Sequence, residues 1–503
     1  MRVSVMLNVT DSFFESRGAG DFSPLGLTLA MINAKPDVEF DRWHSLPEDE
    51  RLTNWMNVSA YFHELRHYHD LVGSVCGFHT VLEGTALVDQ FYDCLGKGSL
   101  SGAANLYSQY GEFFKVVMGD LPPQRTDEEL KDDLATKFES TTPQVTTYYP
   151  QVLVSGRNPE SGRRESLGVP LGLRALMEHI ATEMQIVAAA VGAGEDPQDK
   201  LDPEGRVRRS HSLWASLFRA RFHPYYIARL YASYARYESP GQSSRLLHWY
   251  PPMVDVSVLA QVAMDISGYA RISGKEGEAP WEFEHPGQAF AHLLAAWAET
   301  DQRPDALAVA NSVTERVMGK TYLEFLEQYA VTLENEPRRA LPRHLLPESA
   351  QMPAVGKIRD AILADHADLI RTKIENPNLW FVPVDYLRNA GQLPKPPLQS
   401  VSYQDEMPRG KDLAVLFLTW SFLLSYMQGI AEGGDVSCPI AYRMPAIGDM
   451  VNFPDPQDPQ KKTNCRPFIE ASLCGRFNGR FLPTQPQCPF SEMTTHIAEQ
   501  DNS

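Results

Sequence analysis

Two histidines and one glutamate form the motif in this sequence that points most directly to chemistry. His63, Glu64 and His67 stand in the pattern H-E-x-x-H within YFHELRHYHD. On an α-helix, residues i and i+4 share a face about one turn apart, so both imidazoles can reach one Zn²⁺ at about 2.0–2.1 Å. Glu64 follows the first ligand, and its carboxylate can take a proton from a zinc-bound water. The motif therefore predicts hydrolysis by an activated water.

A helix must position this motif, and the surrounding sequence predicts one. Apolar residues recur three and four positions apart from Leu52 to about Cys94. Gly73 and Gly77 interrupt the pattern and are expected to form a turn between two helices. The motif lies before this turn, so all three of its side chains fall on the first helix.

The motif and its helix resemble the zincin superfamily of metallopeptidases. The resemblance covers residues 1–190 and implies His63 and His67 as zinc ligands and Glu64 as the general base. A catalytic zinc takes a third protein ligand in addition to a water. The metzincin branch needs a Gly and a His after the motif, but Asp70 is followed here by L-V-G. The resemblance therefore implies a gluzincin-like arrangement, in which a downstream helix supplies a Glu.

Two downstream segments offer such a glutamate, and each has Ala three residues later and Gln seven residues later. Glu178 lies in a clean apolar helical pattern after Thr146–Val154, a segment expected to be an edge strand beside the site. Glu83 reaches the metal only if the turn at Gly73–Gly77 reverses the chain. We favour Glu178 as the third ligand and keep Glu83 as the alternative.

Further side chains near the motif are candidates for supporting roles. Asp70 is a candidate acceptor for the second ring N–H of a ligating imidazole. His179 and Tyr149 are candidates for stabilising an oxyanion, and His179 and Glu183 are also open as third ligands. For each of these residues, a packed or surface side chain without a catalytic role is the competing interpretation.

The remaining pattern predicts a mainly α (α+β) fold, with a small sheet near the motif. We expect a zincin-like domain at 1–195, a helical domain at 196–340, and a helical C-terminal region at 341–503 with a Pro- and Cys-containing tail. Helices are predicted at Pro170–Ala190, Leu213–Tyr237, Val256–Tyr269, Pro286–Glu299, Ala306–Met318, Leu323–Leu333, Val355–Ile374 and Leu413–Ile430. The last of these is expected to be a buried core helix, with no membrane contact.

Composition and charge exclude several classes of protein. With 503 residues, 43% of them hydrophobic and 22% charged, the chain is not a disordered or low-complexity protein. A net charge of −18 argues against coating nucleic acid with the whole surface. Arg206–Arg245 mixes eight Arg with aromatic residues, and we interpret it as an aromatic core stripe whose Arg are solvated or paired with acidic residues, rather than as a nucleic-acid surface.

Cysteine usage points to a reducing compartment. Six cysteines are too few for a disulfide framework, and the N-terminal sequence does not have the pattern of a signal peptide, so we expect a cytoplasmic protein. Four of them lack the C-x-x-C spacing of a structural zinc site, which leaves a second metal weakly supported: Cys438, Cys465, Cys474 and Cys488.

The sequence thus predicts a zinc-dependent metallopeptidase that acts on peptides or proteins through Glu64. The alternative is a non-catalytic helical protein for interaction or regulation, in which the motif helix is structural or vestigial. A protease that becomes active only when a regulatory partner binds its helical region is a third interpretation.

Overall fold

The computed structural model describes the chain in segments, most of which are helical. The described residues are 20–23, 27–31, 47–96, 105–106, 117–119, 151–157, 164–192, 194, 227–236, 254–268, 285–299, 305–401, 404–410, 412–414, 416–417, 420, 452–454 and 462–464. This predominance of helix confirms the mainly helical class expected from the sequence.

Helices of very different lengths make up this architecture. In chain order they are α1 Glu48–Gly73, α2 Val75–Gly96, α3 Leu173–Gly192, α4 Ile227–Arg236, α5 Val254–Ile266, α6 Pro286–Ala298, α7 Ala306–Met318, α8 Tyr322–Asn335, α9 Pro337–Ala340, α10 Pro353–Glu375, α11 Asn378–Phe381 and α12 Pro383–Asn389. Short 3₁₀ turns at Arg343–Leu345, Pro347–Ser349 and Ala390–Gln392 connect some of them.

A sharp bend separates α1 from α2, at the turn that the glycines predicted. Ser74 leaves the helical conformation, and its Oγ accepts the Gly77 N–H at 3.1 Å. A Cβ atom on Gly77 would lie 2.3 Å from the Leu71 carbonyl oxygen, so this approach requires glycine. Lys373 Nζ donates to the Gly73 carbonyl at 2.7 Å, at the C-terminal end of α1. The two helices meet at 82°, which is a bend and not a reversal.

Helix α1 lies at the centre of the described core. It packs most extensively against α3 and also contacts α2, α10 and strand β1 (Gly20–Ser23). Every residue from Leu65 to Leu82 is buried, so this stretch has no solvated face. A helix covered on all sides can keep polar side chains only where they find polar partners, and α1 carries several of them.

Capping side chains fix the ends of helices in the second half of the chain. Asp305 accepts the Leu307 N–H at the start of α7, and Gly319 ends that helix in the left-handed conformation, with φ 71°. Thr321 and Glu324 form a reciprocal capping box at the start of α8. The helices predicted at 306–318, 323–333 and 355–374 are confirmed, and α7 has the predicted ends.

Short strands accompany the helices. Strand β1 pairs antiparallel with β2 (Thr28–Met31), which runs parallel to β5 (Leu398–Val401), and β6 (Gln404–Glu406) pairs antiparallel with β5. The Pro-rich segment at 392–408 contains two of these strands, β5 and β6. The register places Phe22 opposite Leu29 and Thr28 opposite Leu398.

A separate hairpin precedes α3. Strands β3 (Gln151–Arg157) and β4 (Arg164–Pro170) pair antiparallel, with Val154 opposite Leu167. The strand expected at 146–154 overlaps β3 at 151–154, and its first five residues lie outside the described ones. Two further short strands, β7 (Asn452–Pro454) and β8 (Lys462–Asn464), pair with each other near the C-terminus.

Segments from all three expected domains contribute to one buried cluster, which runs from Phe22 to Trp420. Helix α5 packs against α2 and α3, and α10 packs against α1 and α2. The domain boundaries at 195 and 340 stay predictions. The packing shows that helices beyond residue 196 form part of the wall around α1.

Among the described residues, no single helix is both long and apolar enough to cross a membrane. The bent pair formed by Asn57–Gly73 and Val75–Phe91 reaches the required length and composition only when its two helices are taken together. The described residues of the segment Leu413–Ile430 are helical, and Phe417 and Trp420 are buried there.

Candidate metal centre

Helix α1 brings the two motif histidines together, as their spacing predicts. His63 Nε2 and His67 Nε2 lie 3.0 Å apart, and the ring planes are nearly perpendicular at 87°. Both side chains are buried. Two imidazole nitrogens that face each other at this distance point toward one shared position beside the helix.

Helix α3 brings a carboxylate to the same position. Glu178 Oε2 lies 3.3 Å from His63 Nε2 and 3.4 Å from His67 Nε2. Glu178 is buried because α3 packs along α1, and its Oε2 accepts no hydrogen bond from any described residue. We call these three residues, His63, His67 and Glu178, the metal cluster.

The spacing within the metal cluster fits a zinc ion. Ligands at about 2.0–2.1 Å from a tetrahedral zinc lie about 3.3 Å from one another. The three separations, at 3.0, 3.3 and 3.4 Å, are close to that value. Two imidazole nitrogens and one carboxylate oxygen are also a donor set that zinc accepts, and they leave a fourth position for a water or a substrate.

The charges of the imidazoles and of the carboxylate in the metal cluster shift one another's pKa values. Burial alone lowers the pKa of His67, but the carboxylates of Glu178 and Glu64 reverse this and raise it above its usual value. Burial alone raises the pKa of Glu178, but the two imidazoles outweigh burial and hold it well below the usual range. The structure therefore favours a cation between these side chains, either a proton or a metal ion.

Glu64 lies beside the metal cluster and is partly exposed, unlike its three neighbours. Burial of its carboxyl group raises the pKa of Glu64, whereas the imidazoles of His63 and His67 oppose that shift. Strand β1 packs near the same place, since the centroid of the Phe22 ring lies 6.3 Å from that of the His67 ring. Glu64 therefore follows one candidate ligand in sequence, and its pKa responds to all three residues of the metal cluster.

The alternative ligand Glu83 is not part of this cluster. It lies on α2, where it contacts His344 Nε2 at 3.3 Å near the surface. Helix α2 leaves α1 at an angle of 82° and does not run back along it. Glu83 is therefore not folded back over the motif. Of the two glutamates weighed from the sequence, the structure places Glu178 beside the histidines.

The side chains considered for supporting roles have other contacts. Asp70 Oδ1 accepts a hydrogen bond at 2.8 Å from Nε of Arg66, on the same helix. The negative charge of Asp70 also contributes to raising the pKa of His67. His179 Nε2 lies 3.5 Å from Ser257 Oγ, and burial lowers the pKa of this imidazole to about 3. Tyr149 lies outside the described residues, as do Cys438, Cys465, Cys474 and Cys488.

The Arg-rich segment is described only at α4. There Arg229 is buried, and its Nη1 donates to Glu183 Oε1 at 2.6 Å. Glu183 is therefore held by a salt bridge between α3 and α4 and does not belong to the metal cluster. At this one position the arginine is paired with an acid, as one of the two interpretations of the segment expected, and the pair lies in the core.

The sequence did not predict a second group of buried polar residues, which includes Arg66 and Asp70 of α1. Arg66 Nη2 donates to Gln261 Oε1 at 2.8 Å, and Gln261 in turn donates to Asp265 at 3.2 Å. Lys373 Nζ pairs with Asp265 at 2.7 Å, and Tyr322 donates to the same carboxylate. We call Arg66, Asp70, Gln261, Asp265, Tyr322 and Lys373 the ion network. Its local signals in the sequence are two spacings of four, between Arg66 and Asp70 and between Gln261 and Asp265.

Comparisons of the chain with protein-family models, with curated proteins and with solved structures found no match. The function is therefore argued from the geometry of the metal cluster and from Glu64. Among the described residues, His63, His67 and Glu178 are the group of His, Cys, Asp and Glu whose ligand atoms converge closely enough for a metal ion.

Proposed function

We propose that this chain is a zinc-dependent metallopeptidase in which His63, His67 and Glu178 hold the metal and Glu64 is the general base. The observation that carries the proposal is the convergence of three buried ligand atoms within 4.8 Å of one another, beside a partly exposed carboxylate. A structural zinc site has four protein ligands, whereas three ligands with an open position are typical of catalytic sites.

The residues divide the chemistry as follows. When bound, a zinc ion lowers the pKa of a coordinated water and polarises a scissile carbonyl. Glu64 takes the proton of the attacking water and passes it to the leaving amine. His63 and His67 hold the metal as neutral imidazoles, and Glu178 supplies the negative charge that partly balances the cation.

The proposal includes a zincin-like arrangement of the N-terminal region. Strand β1 lies against the motif helix, whereas the edge strand expected from the sequence, Thr146–Val154, overlaps the separate hairpin of β3 and β4. The substrate class is a peptide or a protein, and the site opens to solvent at Glu64. Helices α5 and α10 pack around the motif helix and its neighbours, so the region beyond residue 196 supports the site.

Zinc analysis combined with a digestion assay tests this proposal. The purified chain is analysed for metal by mass spectrometry and incubated with a mixed peptide library, whose products identify a reporter peptide. We expect about one zinc per chain and cleavage of the library. Glu64→Gln is expected to keep the zinc and to lose at least about a hundredfold in turnover of the reporter peptide, because it cannot accept the proton.

Two results separate the proposal from the non-catalytic alternative. The double variant His63→Ala/His67→Ala should lose both zinc and cleavage while it stays folded by circular dichroism. A wild-type chain that is folded, binds no zinc and cleaves nothing supports an interaction or regulatory protein. Full activity in Glu64→Gln would show that the assigned base is wrong.

A further inference from the structure

A groove of about 570 Å³ lies along one side of α10, and we call it the α10 groove. The α10 residues that line it recur three or four positions apart, so they share one face of the helix. The other lining residues lie at 392–395 and 408–409. Six charged side chains line the groove, and none of them belongs to the metal cluster: Asp365, Asp368, Arg371, Glu375, Lys395 and Arg409.

Two contacts fix the walls of the α10 groove to the motif helix. Asp365, which is buried, accepts a hydrogen bond from the Tyr68 hydroxyl. His69 Nε2 donates to the Pro394 carbonyl oxygen at 2.8 Å. Because these contacts involve neighbouring residues of α1, they place Lys395, which follows Pro394, toward the Asp365 end of the groove.

The two ends of the α10 groove differ in charge. Arg409 pairs with Asp365 at the end where Lys395 lies. Glu375 lies ten residues further along α10, which is about 15 Å along the helix axis. Glu375 is exposed and has no ion-pair partner among the described residues. The groove therefore offers cations at one end and an unpaired carboxylate at the other.

We propose that the α10 groove binds a short peptide with free ends, whose carboxylate lies between Lys395 and Arg409 and whose ammonium pairs with Glu375. An extended chain advances about 3.4 Å per residue, so four residues span about 14 Å, close to the distance between the two ends of the groove. A volume of about 570 Å³ is within the range of small-ligand sites. The inference goes beyond the proposed function and does not depend on the metal cluster.

A simple anion fits this groove less well than a peptide does. The groove matches its three cations with three carboxylates, which repel a phosphate or sulfate ion. Arg371 already pairs with Asp368, and Arg409 pairs with Asp365. Because a guanidinium has five N–H donors, Arg409 can bind a ligand carboxylate and keep Asp365 as a partner. A ligand with both charges therefore meets a partner at each end and leaves both existing pairs in place.

Tetraglycine is the probe for this site, because it has both charged ends and no side chains beyond hydrogen. Its Kd for the purified chain is measured by saturation-transfer NMR in about 0.15 M salt, which screens the net charge of −18. N-acetyl-tetraglycine lacks the ammonium and tetraglycine amide lacks the carboxylate, so we expect each to bind about threefold more weakly. Absence of tetraglycine binding at about 10 mM would overturn the inference.

Matched variants identify the groove as the binding site. Glu375→Gln should raise the Kd of tetraglycine about threefold and leave that of N-acetyl-tetraglycine unchanged, because the blocked probe has no ammonium to pair. Lys395→Gln should raise the Kd of tetraglycine and leave that of tetraglycine amide unchanged. Glu334→Gln and Lys357→Gln make the same chemical changes at exposed positions outside the groove, and both should bind tetraglycine as the wild type does.

The metal-site variant separates this inference from the proposed function. His63→Ala/His67→Ala should bind tetraglycine with the wild-type Kd, and Glu64→Gln serves as the reference if the wild type cleaves the probe. Loss of binding in the double variant would place the probe at the metal cluster and overturn the inference. If inorganic phosphate displaced tetraglycine, or if N-acetyl-tetraglycine bound as tightly as tetraglycine, the groove would be an anion site and the inference would be wrong.

Discussion

Helix α1 contributes residues to two buried polar clusters, the ion network and the metal cluster, which differ in how their charges are arranged. In the ion network, Arg66 pairs with Asp70 and Lys373 pairs with Asp265, so each positive group has a negative partner. In the metal cluster, two imidazole nitrogens and a carboxylate oxygen face one another. The charges of the first set balance one another, although Arg66 Nη1 and Asp70 Oδ2 have no hydrogen-bond partner among the described residues. The second set brings three ligand atoms together, an arrangement that could hold a metal ion.

This difference separates a structural cluster from a candidate functional one. Buried charges are tolerated when they are paired, and the ion network pairs two cations with two anions. Arg66 also stacks on two aromatic rings, with its guanidinium carbon 5.1 Å from the Trp380 centroid and 4.9 Å from that of Tyr386. The metal cluster contains no Arg or Lys to balance its carboxylate, which is why we propose it as a metal site.

Removing one charge from the ion network should produce the largest change in stability. Lys373→Met leaves Asp265 as a buried anion with only neutral hydrogen-bond donors nearby. We expect the free energy of unfolding to fall by about 3–5 kcal/mol. Urea unfolding followed by circular dichroism measures this, and the zinc content of the folded fraction should not change.

The control for that variant lies two residues away on α10. Arg371 pairs with Asp368, and both side chains are about 60% exposed. Arg371→Met should therefore change the free energy of unfolding by less than about 1 kcal/mol. The double variant Lys373→Met/Asp265→Asn removes both charges and should be more stable than Lys373→Met alone. If Lys373→Met and Arg371→Met lowered the free energy of unfolding by equal amounts, the ion network would not be tightly paired.

Removing the metal should have the next largest effect. A ligand that binds only the folded state stabilises it by about 2.7 kcal/mol when its free concentration is 100 times Kd. The wild-type chain should therefore melt at a lower temperature after chelation and recover when zinc is added. His63→Ala/His67→Ala should show no shift with zinc. A shift of the same size in both proteins would locate the zinc elsewhere.

The pH dependence should have opposite signs with and without zinc. In the metal-free protein the pKa of His67 is raised, so its stabilising contribution is complete below its unfolded value and is lost as pH rises through its folded value. Acidification from pH 8 toward pH 6.5 should therefore stabilise the metal-free wild type relative to His67→Ala. With zinc bound, the same acidification should destabilise it, because protons compete for the imidazole nitrogens.

His67→Ala is the proper reference because other buried histidines titrate in both proteins. Burial lowers the pKa of His69, His79 and His179 to about 3, so each of them destabilises the fold as pH falls below its unfolded value. Their contributions cancel in the difference between wild type and variant. Differences of the same sign in the two metal states would contradict the assignment of His67.

The parts of the site that are local in sequence could be predicted, and those that depend on tertiary packing were harder. The shared face of His63 and His67 follows from helical spacing alone. Glu178 is far along the chain, and the preference for it over Glu83 rests on the apolar helix around it and on the strand expected before that helix. Asp70 illustrates the limit, since its own helix offers Arg66 one turn away, and this pairing was overlooked.

Short strands and long-range ion pairs leave no local signal in the sequence. Strand β1, which packs against α1, has four residues, GDFS, without a clear alternating pattern. Lys373 and Asp265 meet across two helices with no spacing rule to relate them. Helices with strong caps and amphipathic faces, such as Ala306–Met318, were predicted well because their determinants are local.

The smallest effect is expected for a change at Glu83, which lies outside both the ion network and the metal cluster. Glu83 is a glutamate one helix away from the motif, and it meets His344, whose side chain is 50% exposed. Glu83→Gln should leave zinc content and reporter cleavage unchanged and alter the free energy of unfolding by less than about 0.5 kcal/mol, because a surface ion pair contributes little. Glu178→Gln, the same chemical change in the buried cluster, should weaken zinc binding by at least about tenfold, since a neutral amide replaces a charged ligand. If titration with zinc instead showed the larger loss in Glu83→Gln, the third ligand would lie on α2, and the bend between α1 and α2 would have to close in the metal-bound protein.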